Sequence, residues 1–593
     1  MENKLADIRK ILLEKKLDAY IIPSSDPHQS EYVADHWKTR TWVSGFTGSA
    51  GVVVITQKHA GLWTDSRYFL QAETELKDSG FVLHKQLMQG APEHIDWLKN
   101  ELLPGAKVGC DAMVHTVTQV RQMTSLLAQN KIELVLTSDI FNEIWKDRPA
   151  LPSSHVFALD VAYTGQSRAE KLSIINEKMK SKGMDYHLIS TLDDICWVFN
   201  LRGADVECNP VFIAYAVIEN SKATLFADLS KFSERLIEEL HQDNILVRPY
   251  EDITLLLSDI KNDKGIWADA DTTSIGLFNV IKTKKIELSS TPSIALKSIK
   301  NEVEIAHIEE AMIRDGVALT HFFMWLEKTL KRGKTNEVEV AEKLAHFRSE
   351  MGDYHGESFS AIVGYKQNGA IVHYHAEKDT CAEISDDGIL LIDSGGQYTC
   401  GTTDITRTIA LSTPTKEQKT NYTLVLKGHI AIARAVFPKG TKGVQIDAFA
   451  RQFLWKKGLN YGHGTGHGVG FFLNVHEPPQ GIIAGLGTRG ITPLEVGTLT
   501  SNEPGFYKTG AYGIRIENLV LTVPSNQSSD DEFFEFKTMT LCPIDKTLIR
   551  TKLLTDDEKK WLNSYHKKVY KNVAPRLDKT EKKWLKEKCK KIN

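Results

Sequence analysis

Residues 461–477 read YGHGTGHGVGFFLNVHE, three histidines and five glycines in seventeen positions. His463 and His467 stand at i and i+4, the spacing that puts two zinc ligands on one face of a helix. Glycine at 464, 466 and 468 argues against that helix, and no glutamate stands between the histidines. The zinc-protease reading therefore fails on geometry and on chemistry. A phosphate-binding loop fails too, because the glycines miss its register and no lysine follows. What remains is an extended segment whose backbone must approach another surface closely while presenting imidazoles to it.

Carboxylates stand ready to complete such a site. ILLID at 389–393 is a buried-strand pattern ending in Asp393, and GTTDITRTIAL at 401–411 is a second strand with Asp404 near its start. The SGGQYTC between them has hairpin length, so the two acids can face each other across an antiparallel pair. Like charges so placed repel unless something positive lies between them, and a pair of metal ions is the natural answer. Glu503 sits at the Pro-Gly turn of TSNEPGFY. In YGIRIENLVL at 512–521, alternation puts Arg515 and Glu517 on one face and Ile514 and Ile516 on the other. Singly, such acids are usually surface residues. Together they bracket the histidine segment.

These residues need a large scaffold, and 593 residues allow about three or four domains. Hydrophobic content of 41% and charged content of 25% describe an ordinary soluble globular chain, and a net charge of -3 offers no footprint for nucleic acid. The seven cysteines are scattered without CxxC pairing, which favours free thiols in a reducing compartment. MENKLADIRKILLEKK carries charge throughout and lacks a signal-peptide core, and no run approaches the roughly 20 apolar residues of a spanning helix. A cytoplasmic protein without nucleic-acid or membrane partners is expected.

Along the chain, AYIIP at 19–23 and GVVVIT at 51–56 read as buried strands, and a third strand leads into WTDSRYF at 63–69. LDAYIIPS from 17 then has a counterpart in MDYHLIST from 184, WVSGFTG from 42 in WVFNLRG from 197, and WTDSRYF from 63 in FADLSKF from 226. Three matches in the same order indicate one fold used twice. From about Ser298 a long helical run places Ile305, Ile308, Met312, Leu319, Phe322 and Phe323 broadly on one side. A second helix follows, with Asn336 and Glu339 placed as a capping pair. Strand-like stretches then dominate to about 525. The tail from Leu553 has Thr555 and Glu558 as a capping box, and its basic end, EKKWLKEKCKKIN, reads as a solvated helix or frayed terminus.

DSGGQYTCGTTDITRT, GHGTGHGVGFFLNVHE, and SNEPGFY followed by GIRIEN resemble the signature segments of the pita-bread metallopeptidases. Within that group they resemble the Xaa-Pro aminopeptidases (aminopeptidase P) in their long three-domain form, and SSDPHQSEY, SGFTGSAG and WTDSRY extend the resemblance to the amino-terminal part. The fold so implied is α/β, with two related creatinase-like domains at 1–152 and 153–297. An α+β pita-bread catalytic domain with a carboxyl-terminal helical extension follows at 298–593.

The resemblance implies five ligands for two metal ions: Asp393, Asp404, His467, Glu503 and Glu517. Asp404 and Glu517 would bridge the ions, Asp393 would complete one, and His467 with Glu503 the other. His373, His463 and His476 would be histidines on the substrate side, and Arg515 would buttress a bridging carboxylate. Four carboxylates and one imidazole make manganese the first choice, with cobalt, iron or zinc as alternatives. The implied reaction cleaves the bond between an amino-terminal residue and a penultimate proline through a metal-bridged hydroxide, with Glu503 moving the proton. Peptide substrates and a homodimer are implied as partners. A prolidase restricted to dipeptides is the nearest alternative, and a non-catalytic protein on the same fold is a more distant one.

Overall fold

Short apolar runs in the first 294 residues form two six-stranded sheets of one design. In a computed structural model that describes residues 2–88, 92–220, 222–526 and 532–593, the chain divides into two compact units. These are Met1–Val161 with Gln166–Ile294, and Ala162–Gly165 with Ala295–Asn593. In the first unit, Ala19–Pro23 lies between the antiparallel Val52–Thr56 and the parallel Lys107–Asp111. Tyr186–Ile189 lies likewise between the antiparallel Ala214–Glu219 and the parallel Gly265–Ala268. The outer strands repeat the same pattern, antiparallel and then parallel on one side and parallel on the other. The repeated segments of the sequence fall at equivalent places: both strands that start the match are central, and Trp63–Thr64 and Phe226–Ala227 both end the strand that pairs next.

The second unit opens on the helix Glu302–Leu330, whose start is held by a capping box between Asn301 and Glu304. Leu319, Phe322, Phe323 and Leu326 on this helix pack with Val340 and Leu344 of the helix Glu337–Ser349 against Val363, Leu390, Ile392 and Ile405 of a three-stranded sheet. Each such side chain, fully buried, contributes on the order of 1.5–3 kcal/mol. This layer is what holds the strand carrying Asp393 in place. Asn336 caps the second helix through the Glu339 N–H, but the Glu339 carboxylate turns to Thr335 Oγ1 at 2.7 Å.

Strands prevail before 525, as the sequence pattern leads one to expect, but the helices Lys416–Ala433 and Gly443–Trp455 interrupt them. Tyr422 through Leu426, Gly428 through Ile430, Ile432 and Ala433 are all buried, so the first of these helices is enclosed on nearly every side and loses the one-sided periodicity of a surface helix. Of the two readings of the basic terminus, the helix holds and the frayed end does not. Lys579–Lys588 is a helix with a capping box from Asp578 and Glu581, Leu585 is buried, and Trp584 Nε1 donates to Glu327 at 2.8 Å. A six-stranded sheet in the order Val436–Pro438, Phe533–Thr538, Asn518–Pro524, Leu499–Asn502, Gly466–Gly468, Glu477–Ile482 completes the unit. Its last four strands carry or adjoin most of the residues singled out above.

Candidate metal centre

The strand Ile389–Ser394 pairs antiparallel with Ile405–Ala410, as its sequence pattern requires, with Asp393 opposite Thr406. The connection is more than a hairpin turn. Gly396–Tyr398 and Gly401–Thr402 pair in a separate three-stranded sheet, so Asp404 stands just before the second strand and not directly across from Asp393. YGIRIENLVL also divides. Tyr512–Arg515 pairs with Gly505–Lys508, Asn518–Pro524 joins the six-stranded sheet, and Glu517 lies at the break between them. The Glu517 N–H donates to Thr406 O at 3.1 Å, which brings the last acid over the Asp393–Asp404 strands.

The glycine-rich segment threads Gly466–Gly468 between Glu477–Ile482 and Leu499–Asn502. A Cβ on Gly466 would lie 1.9 Å from Ser501 O, and one on Gly468 2.4 Å from Glu477 O. Only glycine allows the backbones on either side of His467 to come this close. The preceding loop is strapped by the helix Gly443–Trp455. Asp447 accepts from Thr465 Oγ1 at 2.6 Å, while Arg451 donates to Tyr461 O at 2.8 Å and to His463 O at 2.7 Å.

Asp404, His467 and Glu517, all buried, present ligand atoms that lie within 4.8 Å of one another. His467 Nδ1 faces Gly468 O at 2.9 Å, which assigns the ring proton to Nδ1 and turns the Nε2 lone pair inward. Nε2 lies 3.4 Å from Asp404 Oδ2 and 3.4 Å from Glu503 Oε1. Ser501 Oγ accepts from the His467 N–H at 3.0 Å and donates to Glu503 Oε1 at 3.1 Å, so one hydroxyl aligns two of the expected ligands. Thr406 Oγ1 donates to Glu517 Oε2 at 2.8 Å. Arg515 holds Asp393 Oδ2, at 3.1 Å from Nε and 2.5 Å from Nη2. Its carboxylate partner is therefore Asp393 and not one of the acids expected to bridge. The break at Ile516 is the reason, since Arg515 and Glu517 no longer belong to one continuous strand.

These groups fit a pair of cations. Asp393 Oδ1 is buried and makes no hydrogen bond. Four carboxylates against the single Arg515 guanidinium leave three negative charges unmatched; one divalent ion cannot meet them, and two can. Burial pushes Asp404 up to about 6 and raises Asp393, Glu503 and Glu517 as well, each further raised by acidic neighbours or, for Asp393 and Glu503, opposed in part by Arg515. Burial, and then the neighbouring His476, pulls His467 down to about 4, so its imidazole is neutral and available as a ligand. A hard carboxylate set with one imidazole suits an oxygen-loving divalent ion.

The expected substrate-side histidines surround this cluster unequally. His476 packs edge-on against His467, ring centroids 4.3 Å apart. His463 Nε2 reaches the Tyr507 hydroxyl at 2.9 Å, and Tyr507 in turn accepts from Arg515 Nη1 at 2.6 Å. His373 follows Val372, whose carbonyl lies 3.4 Å from Arg515 Nη1. Sequence reasoning did not single out Tyr507, Thr406, Ser501, Asp447 or Arg451. Tyr507, Thr406 and Ser501 stood inside the quoted motifs, and the i, i+4 Asp–Arg pair was a signal for the helix that carries it.

Known proteins resemble this chain along its whole length. Residues 306–524 match the model of metallopeptidase family M24, 4–144 and 147–304 match creatinase/prolidase N-terminal domain models, and 532–592 match the C-terminal region of peptidase M24. The chain is 41% identical to a probable Xaa-Pro aminopeptidase P of Laccaria bicolor over 99% of this chain and 93% of the relative. It is 39% identical to aminopeptidase P2 of Arabidopsis thaliana over 99% of this chain and 88% of the relative. The crystal structure of an X-prolyl aminopeptidase from Caenorhabditis elegans, described as a cytosolic enzyme with a di-nuclear active site, matches with a TM-score of 0.95 at 35% identity, covering 100% of this chain and 99% of that one.

Proposed function

The chain belongs to metallopeptidase family M24, with the Xaa-Pro aminopeptidases as its full-length relatives, and we propose that it removes the amino-terminal residue from peptides whose second residue is proline. The observation that carries this is the buried convergence of Asp404, His467 and Glu517 with Asp393 and Glu503 around negative charge that two divalent cations would balance. The match runs along nearly the whole of relatives named for this activity, which favours it over a dipeptide-only prolidase.

Asp393, Asp404, His467, Glu503 and Glu517 would hold two divalent ions, manganese before cobalt, iron or zinc. Bound there, the ions would supply a water acidic enough to attack at neutral pH and a positive charge to polarise the scissile carbonyl. Proline makes a dedicated site useful, because its nitrogen carries no hydrogen and its ring restricts the backbone before it. Glu503 accepts the attacking water's proton and delivers it to the departing proline nitrogen. His476 and His373 hydrogen-bond the substrate carbonyl and the oxyanion. His463, braced by Tyr507, lines the proline side. Arg515 touches no substrate; it orients Asp393 and so the donor that Asp393 turns inward.

Three further parts of the reading are proposals of the same kind. A division at 152 and 297 into three domains is supported by the repeated sheet order. A homodimer through the catalytic unit follows from family resemblance. A cytoplasmic setting is supported by seven free cysteines. Among the described residues no helix is long and apolar enough to cross a membrane.

Release of free arginine from Arg-Pro-Pro, measured with added manganese, after chelation, and in Asp404→Ala, tests the activity. Cleavage that requires metal and vanishes in the variant is expected. Turnover of Ala-Pro without cleavage of the tripeptide would replace the reading with a prolidase, and metal binding without turnover of either would replace it with a non-catalytic role.

A further inference from the structure

The strand Ile405–Ala410 presents Thr406 and Thr408 to the metal side, where Thr406 holds Glu517 and Thr408 Oγ1 donates to Arg515 O at 3.0 Å. Alternation sends Arg407 the other way, into an interior where it is 2% exposed. There, among the described residues, its guanidinium has no carboxylate as a hydrogen-bond partner. Nη1 donates to Glu517 O at 2.6 Å and Thr406 O at 2.9 Å, and Nε to Pro543 O at 3.1 Å. Nη2 donates to Asn518 Oδ1 at 2.8 Å, Cys542 O at 2.8 Å and the Tyr565 hydroxyl at 2.9 Å. A planar fork of five N–H groups is thus spent on tying the Glu517 peptide to Cys542, Pro543 and the helix Asp556–Val573.

The same network continues to the other ligand strand. Asn518 Nδ2 donates to His429 Nε2 at 3.1 Å, and His429 Nδ1 donates to Asn502 O at 3.1 Å. Asn502 Nδ2 returns a bond to His429 O at 2.9 Å. Asn502 and Asn518 are register partners on adjacent strands, one preceding Glu503 and the other following Glu517. The backbone beside two of the expected ligands is therefore fixed by one buried chain of bonds that ends on Tyr565. Tyr565 lies in the segment matching the family's C-terminal region.

We propose that this C-terminal region is a positioning element for the metal centre, acting through Tyr565 and Arg407 on the Glu517 and Glu503 backbones and so setting metal affinity. The inference rests on the reading of Glu503 and Glu517 as ligands. Residues that orient a ligand through hydrogen bonds typically change metal affinity about 10–100-fold when altered. Tyr565→Phe removes one acceptor from Arg407 while keeping the ring. Arg407→Lys replaces the fork with a point donor that cannot span the same carbonyls.

Manganese binding to the chelated full-length protein, followed by calorimetric titration, reads the effect directly. The dissociation constant is expected to rise about tenfold in Tyr565→Phe and toward a hundredfold in Arg407→Lys, with wild-type affinity in Val569→Ala, a truncation one turn further along the same helix at a residue whose side chain makes no hydrogen bond to the network. If Arg407→Lys fails to fold, Tyr565→Phe alone decides. Unchanged manganese affinity in folded Tyr565→Phe, with only a lowered Tm, would overturn the proposal and leave the network a structural one. Equal loss in Val569→Ala would overturn it too. Wild-type protein that takes up no manganese would instead refute the ligand assignment, and the positioning role with it.

Discussion

Replacing Gly466 by alanine places a methyl carbon 1.9 Å from Ser501 O, a backbone atom with no side-chain freedom to yield. Real contacts of this kind stay beyond 3.0 Å, so the strands Gly466–Gly468 and Leu499–Asn502 must part by about 1.1 Å. The first strand carries His467 and the second leads into Glu503, whose ligand atoms now lie 3.4 Å apart. Overpacking of this sort costs about 1–3 kcal/mol of stability. Misplacing catalytic groups by about 1 Å costs about a hundredfold in rate. Gly464→Ala is the internal control. Its methyl would meet Ile483 Cγ2 at 2.7 Å, the end of a side chain that can rotate away. With Arg-Pro-Pro as substrate, kcat/KM should fall about a hundredfold in Gly466→Ala and stay near wild type in Gly464→Ala. Manganese affinity should follow the same order. Gly466→Ala enzyme that retains wild-type kcat/KM and manganese affinity would refute the argument that backbone approach is what seats His467 against Glu503.

Lys300 and Glu477 form an ion pair with side chains 0% and 1% exposed, next to His476 in the chain. Lys300→Met should destabilise the protein by about 3–5 kcal/mol in urea unfolding, and Lys300→Met with Glu477→Leu should recover most of it, because the uncompensated buried charge is gone; a double variant no more stable than the single one would contradict this. Burial also holds His187 near a pKa of about 4 and His429 and His566 near about 3, against about 6.5 when unfolded. The unfolded chain then binds more protons in that interval, so this contribution is complete above pH 6.5 and is lost as pH falls toward 4 and then 3. Each group accounts for a slope of about 1.4 kcal/mol per pH unit. His187→Gln should reduce the dependence of unfolding free energy on pH between 4.5 and 6 by close to one proton, and an unchanged slope would place His187 outside the folded core's titration.

The five expected ligands stood out because their chemistry conflicts with their surroundings. Acids that end apolar strands, and histidines in a run of glycines, have no reason to occur together except a site. The duplicated sheets were visible for another reason. Both copies keep the central strand and the segment after it, so the match survives where the outer strands have diverged. What the sequence concealed were relations between distant segments. Alternation put Arg515 and Glu517 on one face of a single strand, and it cannot see that the strand changes sheets at Ile516, which turns Arg515 to Asp393. The helix Lys416–Ala433 hid for a related reason: it is buried on nearly all sides, and a helix without a polar face has no period to read.

The same distinction applies to the tail: the helical spacing of Trp561, Leu562, Tyr565 and Val569 marks an inward face but not what that face meets. Its outer surface is lysine-rich, and by composition alone it belongs to solvent. Among its inward residues is Tyr565, whose hydroxyl lies against Arg407 behind the Glu517 peptide. A strand that offers Thr406 to one face and Arg407 to the other couples the metal side to the tail within two adjacent residues. Alternation, the simplest regularity of a strand, is thus what makes a ligand's orientation depend on a segment that contributes no ligand itself.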